Sequence, residues 1–397
     1  MEVLFEKHWN RLKATDTSFM RGMMESINWK ARLIGIRGAR GVGKTTLLLQ
    51  YIKDRLPADG TSLYVSLDNI WFTENRLTSL ADMFTKRGGR YLFLDEVHKY
   101  PGWAQEIKNL YDDYPELKIV FTGSSLLDIL NARADLSRRA VVYNMQGLSF
   151  REFLAMTTGN KLPVFPLNKI LTDHLKLSKE VLKHVRPLKY FDQYLRYGYY
   201  PFYRELPVLY HQRIEETLNM ILEIELPSMR GVDTGHLSKI KQLLQIISES
   251  VPFMPNISKL SERTGINRVT LLSYLWYLQE ARVIISIYKE AQGITKLQKP
   301  DKLYMENTNI LFALAPGNVN KGNLRETFIV NQLSYGHKVE YPLFGDLLVD
   351  NKYIIETGGK KKSGDQITGI PDSFIAADDI EYGNQNRIPL WLFGFTY

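Results

Sequence analysis

The stretch Ala31-Arg-Leu-Ile-Gly-Ile-Arg37, followed by Gly38-Ala-Arg-Gly-Val-Gly-Lys-Thr45 and Thr46-Leu-Leu-Leu-Gln50, reads as strand, glycine loop and helix. Gly38, Gly43, Lys44 and Thr45 fit the spacing G-x-x-x-x-G-K-[ST]. In that arrangement main-chain N–H groups wrap phosphates, the lysine reaches the β and γ positions and the hydroxyl meets Mg²⁺. Glycines permit positive φ and close backbone approach to an anion, and the helix behind them adds its positive end. The expected nucleotide contacts are therefore Gly38, Gly41, Val42, Gly43, Lys44, Thr45 and Thr46. A plain glycine-rich turn is the competing interpretation, and the strand before it and helix after it argue against that.

Working outward, Arg90-Tyr-Leu-Phe-Leu-Asp-Glu96 is an apolar strand that ends in two acids. Asp95 would hold Mg²⁺ through water, and Glu96 would orient or deprotonate the attacking water. A solvated strand end is the bland alternative. Ser62–Leu67, Leu117–Ser125 and Ala140–Tyr143 supply further strands, and a helix is expected over Ile70–Lys86. The polar end of Leu117–Ser125 should lie beside Asp95, so Thr122, Ser124 or Ser125 could sense the γ-phosphate or cap a helix over Leu126–Ala132. Arg138 and Arg139 follow at the ligand end of the sheet, where a guanidinium could stabilise transferring phosphoryl or pair with a surface acid. Strands alternating with helices specify a parallel α/β sheet with nucleotide at its carboxyl ends. Residues 1–30 form an amphipathic lead-in through Leu4, Phe5, Trp9 and Leu12, to which the pattern assigns no chemistry.

Composition sets outer bounds. The 397 residues are 44% hydrophobic and 24% charged, with no cysteine, which excludes disulfides, thiolate metal sites and thiol catalysis. No apolar signal core opens the chain and no long uncharged run crosses a membrane, so a cytoplasmic protein without membrane partners is expected. The net charge of +8 favours an anionic partner without deciding which.

Residues 148–230 are helical in pattern and aromatic-rich at Tyr190–Pro201; the tyrosines recur at core spacing, and a helical lid over the nucleotide is expected. Ile257–Ile266 and Asn267–Glu280 then show helix-turn-helix spacing, with Val269, Leu272, Leu275, Trp276 and Leu278 inward. Val283–Tyr288 and Lys302–Met305 would form a wing. Arg268, Thr270, Ser273 and Tyr277 would face DNA, with Lys296, Lys299 and Lys302 near phosphates; an intramolecular or protein-binding role is the alternative. In the last segment an amphipathic helix over Gly322–Leu333 precedes short strands at Val339–Tyr341, Leu347–Val349, Tyr353–Glu356, Ser373–Ala376 and Pro389–Phe395. Asp346 and Glu356 could share a metal there.

Together, Gly38–Thr45, Leu94–Trp103, Phe121–Ser125, Leu136–Arg139, Gln146–Phe153 and Tyr197–Pro201 make the chain resemble, over essentially its whole length, the AAA+-type bacterial and archaeal ATPases that carry a restriction-endonuclease-like, DUF4143-like C-terminal domain of unassigned role. The resemblance implies ATP as the nucleotide, Ser124 as sensor, Arg138 or Arg139 as the family's arginine, and four modules at 1–147, 148–235, 236–315 and 316–397. It also implies a lysine two residues after Glu356, where Gly358 stands, with Lys360 further on, so a non-cleaving scaffold is expected. The combined expectation is a Mg²⁺-dependent, slow ATPase acting as a switch on a DNA or protein partner. The alternative is a DNA-binding regulator whose nucleotide hardly turns over.

Overall fold

The computed structural model describes residues 1–123, 136, 138–249, 254–289, 298–317 and 319–397. Two compact units result, Met1–Gly147 and Leu148–Tyr397. In the first, α1 (Glu2–Ala14) and α2 (Met23–Ser26) precede β1 (Leu33–Arg37). Then come α3 (Lys44–Arg55), β2 (Ser62–Ser66), α4 (Leu77–Lys86), β3 (Tyr91–Asp95), α5 (Trp103–Asp113), β4 (Lys118–Gly123) and β5 (Val141–Asn144).

These strands form a five-stranded sheet in the order β2-β3-β4-β1-β5, parallel throughout. Leu33, Leu63, Leu92, Leu94, Ile119 and Phe121 share its core, and continuous apolar strands of this kind are what a sheet covered on both faces requires. Because β4 intervenes between β1 and β3, the glycine loop and the acids of β3 meet across the strand that joins them.

The expected helix over Ile70–Lys86 is corrected to a 3₁₀ turn at Ile70–Thr73 and α4 from Leu77. Asn69 caps the turn by accepting from the Trp71 N–H, Asn75 donates to the Trp71 carbonyl at 2.9 Å, and Arg76 is extended. Polar side chains that bond nearby backbone break a helix in this way.

The second unit opens with helices α6 (Phe150–Thr158), α7 (Leu167–Leu182), α8 (Pro187–Tyr197), α9 (Tyr210–Met220), α10 (Leu226–Arg230) and α11 (Leu237–Glu249). A capping box between Ser149 and Glu152 starts α6. Tyr194, Tyr199, Tyr200 and Tyr210 are buried. Asn309 gathers them, accepting from the Tyr199 N–H and the Tyr210 hydroxyl while donating to the Leu195 carbonyl. The aromatic segment is thus core.

Next come α12 (Ile257–Thr264), α13 (Arg268–Glu280), β6 (Ile284–Ile287), antiparallel β7 (Lys302–Met305), α14 (Thr308–Leu314) and α15 (Lys321–Leu333). Val269, expected inward, is 59% exposed: it lies in the first turn of α13, before the stripe that buries Leu271, Leu272, Leu275 and Leu278. Trp276, also expected inward, is only partly buried. Lys302 is corrected too, being 3% exposed rather than on an open wing. Lys296 lies outside the described residues.

The last sheet contains β8 (Val339–Glu340), β9 (Leu347–Val349), β10 (Tyr353–Gly358), β11 (Ser373–Ala377) and β12 (Arg387–Pro389). Its order is β12-β11-β10-β9-β8, antiparallel from β8 to β10 and parallel from β10 to β12. The strand expected at Pro389–Phe395 becomes a buried 3₁₀ turn over Leu390–Phe395. A continuous apolar run without alternation does not distinguish the two. Among the described residues no helix is long and apolar enough to cross a membrane.

Candidate functional site

Gly41 and Gly43 adopt φ of 83° and 99°, conformations that side-chain-bearing residues avoid. Gly38 meets a different demand: a Cβ there would lie 2.3 Å from the Met145 carbonyl oxygen. Lys44 opens α3 and is 5% exposed, its Nζ donating to the Gly38 and Ala39 carbonyls at 2.8 and 3.0 Å. The ammonium is therefore held over the same loop whose amides would receive an anion.

Asp95, 2% exposed, stands across β4 from this loop. Its Oδ2 accepts from the Thr45 hydroxyl at 2.6 Å and the Tyr64 hydroxyl at 2.7 Å. Oδ1 accepts from the Thr122 hydroxyl and, at 3.1 Å, from the Glu96 N–H. All of these donors are neutral, so they orient the carboxylate without pairing it with a cation. The Thr45 hydroxyl gives its proton to Asp95 and keeps its lone pairs for a cation. Two hard oxygen donors in contact suit Mg²⁺. Burial, with the Asp95 charge beside it, pushes the Tyr64 phenol above its ordinary range and keeps it protonated.

Glu96 takes φ of 52° as the chain leaves β3, and its carboxylate lies 3.5 Å from His98 Nε2. Left-handed backbone at a non-glycine residue is strained and recurs at functional turns. Arg139 makes a two-pronged contact with Asp112, both distances 2.9 Å, and holds that carboxyl below its usual range. Arg138 is exposed. The sensor candidates Ser124 and Ser125 lie outside the described residues, whereas Thr122 reaches Asp95 directly.

Three contributors carry no local sequence signal. Arg21, 7% exposed, donates to the Val42 carbonyl at 2.9 Å and to the Gln146 and Gly147 carbonyls at 2.9 and 2.8 Å. It ties the glycine loop to the end of the unit. Tyr64 and Arg11 form the second connection, with Arg11 Nη1 donating to the Tyr64 hydroxyl at 3.2 Å.

In the second unit Asp346 and Glu356 do not converge on a common ion. Asp346 Oδ2 accepts from the Thr357 N–H at 2.7 Å and its hydroxyl at 3.0 Å, while Glu356 Oε1 lies 2.7 Å from Lys362 Nζ. No group of three or more metal-ligating side chains forms among the described residues. Lys360 is exposed; the lysine beside Glu356 is Lys362, which sequence spacing missed.

Residues 30–154, which hold this geometry, match the AAA domain family. Over that segment the chain is similar to AAA-type ATPase domains. Residues 188–321 match DUF8612, a domain of unknown function. An uncharacterized protein of Methanocaldococcus jannaschii is 27% identical over 392 residues, spanning 91% of this chain and 82% of that one. A Walker-type ATPase of Pyrococcus abyssi is similar over 75% of this chain and 95% of its own, at 14% identity and a TM-score of 0.41. AMPPCP-bound DnaA from Aquifex aeolicus is similar over 65% and 84%, at 14% identity and a TM-score of 0.28. The AAA domain implies nucleotide binding; its matched segment begins after Arg11 and Arg21, which the rest of the unit nevertheless uses.

Proposed function

We propose that the protein is a Mg²⁺-dependent ATPase that works as a nucleotide-driven switch. The observation that carries this is the 2.6 Å contact between Thr45 and Asp95 beside the positive-φ glycine loop. The amides of Gly41–Thr46 and the Lys44 ammonium would bind the β- and γ-phosphates. Thr45 and Asp95 would hold the cation, which supplies charge neutralisation on the transferring phosphoryl. Glu96, less buried than Asp95, would orient and deprotonate the attacking water. Thr122 keeps Asp95 in place, Ser124 would be the sensor, and Arg138 is preferred over Arg139 as the family's arginine because Arg139 is committed to Asp112.

Occupancy would be transmitted to a DNA or protein partner. The α12–α13 pair with β6 and β7 has winged-helix order, and Arg268 at the exposed start of α13 offers a phosphate contact. Phosphate release and nucleotide retention test the ATPase assignment together. Lys44→Ala should abolish both, and Glu96→Gln should abolish release while keeping ATP bound. Unchanged hydrolysis in Glu96→Gln would discard the role given to that carboxylate.

A further inference from the structure

Asp95 meets Thr45 through Oδ2, and the orientation of that oxygen is set by what else the carboxylate touches. Tyr64 donates to the same oxygen as Thr45, from the neighbouring strand β2. That hydroxyl is itself held by α1: Arg11 Nη1 donates to it at 3.2 Å, and the Arg11 guanidinium lies 5.5 Å from the centre of the tyrosine ring. The backbone of the same tyrosine is fixed independently, its N–H donating to His8 Nδ1 at 3.0 Å, with His8 fully buried. Helix α1 thus holds Tyr64 at both ends, and Tyr64 holds Asp95.

We infer that Tyr64 is a positioning residue for the cation-binding pair Thr45–Asp95, and that Arg11 on α1 sets its hold, so that seating of the N-terminal helix tunes magnesium affinity. A tyrosine kept only for packing would need its ring alone. Tyr64, 3% exposed as a residue, instead sets its hydroxyl between a guanidinium and a carboxylate, giving one hydrogen bond and accepting another. Charge-assisted bonds of this sort are stronger and more directional than neutral ones. An arginine donating into the phenol oxygen draws electron density from the O–H and strengthens its bond to Asp95. This inference rests on the ATPase assignment, because it concerns the cation that would accompany the nucleotide.

The test is calorimetric titration of ADP into the full chain, once in EDTA and then across a series of Mg²⁺ concentrations. Tyr64→Phe keeps the ring and removes the hydroxyl. It should raise the half-saturating Mg²⁺ concentration by about 3- to 10-fold, the worth of one such hydrogen bond, and leave metal-free ADP affinity unchanged. Arg11→Met, on an exposed residue whose loss spares the core, should shift magnesium in the same direction by about 2- to 3-fold. The double variant should be no worse than Tyr64→Phe, since Arg11 acts through the hydroxyl. A normal magnesium midpoint in both single variants overturns the proposal. So does an equal loss of ADP affinity with and without metal, which marks a purely structural tyrosine. Should Tyr64→Phe fail to fold, Arg11→Met alone decides the matter by the same midpoint. If the unaltered protein binds no ADP under either condition, the ATPase assignment is what fails.

Discussion

Asp95 and Glu356 are buried to the same degree, 2% and 1% exposed, and each ends or nearly ends a strand in a sheet with parallel neighbours. Their surroundings are opposite. Asp95 is held by hydroxyls and a main-chain amide, so its charge is oriented and left available. In the second unit the acids are answered by ammonium groups. Lys302 Nζ lies 3.2 Å from Glu326 and 3.8 Å from Asp346, Lys362 Nζ lies 2.7 Å from Glu356, and the Tyr304 hydroxyl gives Glu326 a further bond at 2.6 Å. Burial pushes the Glu326 carboxyl up while Lys302 pulls it back. Neutral donors prepare a buried carboxylate to receive a cation, whereas built-in lysines have already supplied one.

Mirror-image substitutions separate the two arrangements most strongly. Asp95→Asn removes the charge that a magnesium ion would meet and should lower ATP hydrolysis by about 10²- to 10³-fold, measured as phosphate release, at a stability cost of about 1–3 kcal/mol because its NH2 faces two donors the carboxylate had accepted from. Lys302→Met does the reverse. It leaves Glu326 and Asp346 buried without their cation, which should cost the second unit about 3–5 kcal/mol in denaturant unfolding and spare ADP binding. If Lys302→Met is neutral, the ammonium is not what holds those acids.

Titration sharpens the same contrast at intermediate size. In the first unit His8 is buried, and burial lowers its pKa from 6.5 to about 4. The unfolded chain therefore binds more protons between those values, and stability falls as pH drops from about 6.5 to about 4, by up to about 3 kcal/mol. In the second unit Glu306 is buried 3.7 Å from Arg282, and burial raises its pKa from 4.5 to about 7. Here the folded chain binds more protons, so the contribution is complete below pH 4.5 and is lost as pH rises through about 7, again by up to about 3 kcal/mol. The two windows overlap with opposite slopes, so across pH 4–8 unfolding midpoints should fall more steeply with rising pH in His8→Gln and rise more steeply in Glu306→Gln than in the unaltered chain. The same slope change in both variants would contradict the opposed signs.

What could be read from the sequence follows from how far each partner lies along the chain. The glycine loop is legible because positive φ, close approach and a following helix are demands on adjacent residues, and Gly38–Thr45 meets them within one turn of chain. Asp95 is legible from the apolar strand that delivers it. Tyr64 and Arg21 are not, since a buried strand and an amphipathic lead-in look the same whether or not a hydroxyl or guanidinium reaches across the fold. The wing lysine Lys302 failed for a related reason: β7 is buried at every position, so a charged residue in it signals a buried partner instead of a solvent face. Lys362 escaped because spacing along a strand locates a side chain only while the chain stays in that strand, and β10 ends at Gly358.

That last position bears on whether the second cluster can cleave DNA. A Cβ on Gly358 would fall 2.6 Å from the Lys362 side chain, so the missing side chain is the space through which Lys362 reaches Glu356. A lysine beside an acid on a strand invites comparison with a metal-dependent nuclease, yet the commitments around it argue otherwise. Asp346 is occupied by Thr357 and faces Lys302, while Glu326 is shared by Lys302 and Tyr304. A divalent ion would have to displace a buried ammonium and break those bonds before it met two carboxylates, and the desolvated ion pair is costly to part. Incubation of the full chain with duplex or single-stranded DNA and Mg²⁺ or Mn²⁺ should therefore yield no products beyond those of an Asp346→Ala control. Cleavage that disappears in that control would mean that the lysines yield to a metal, and that the two acid clusters differ in degree and not in kind.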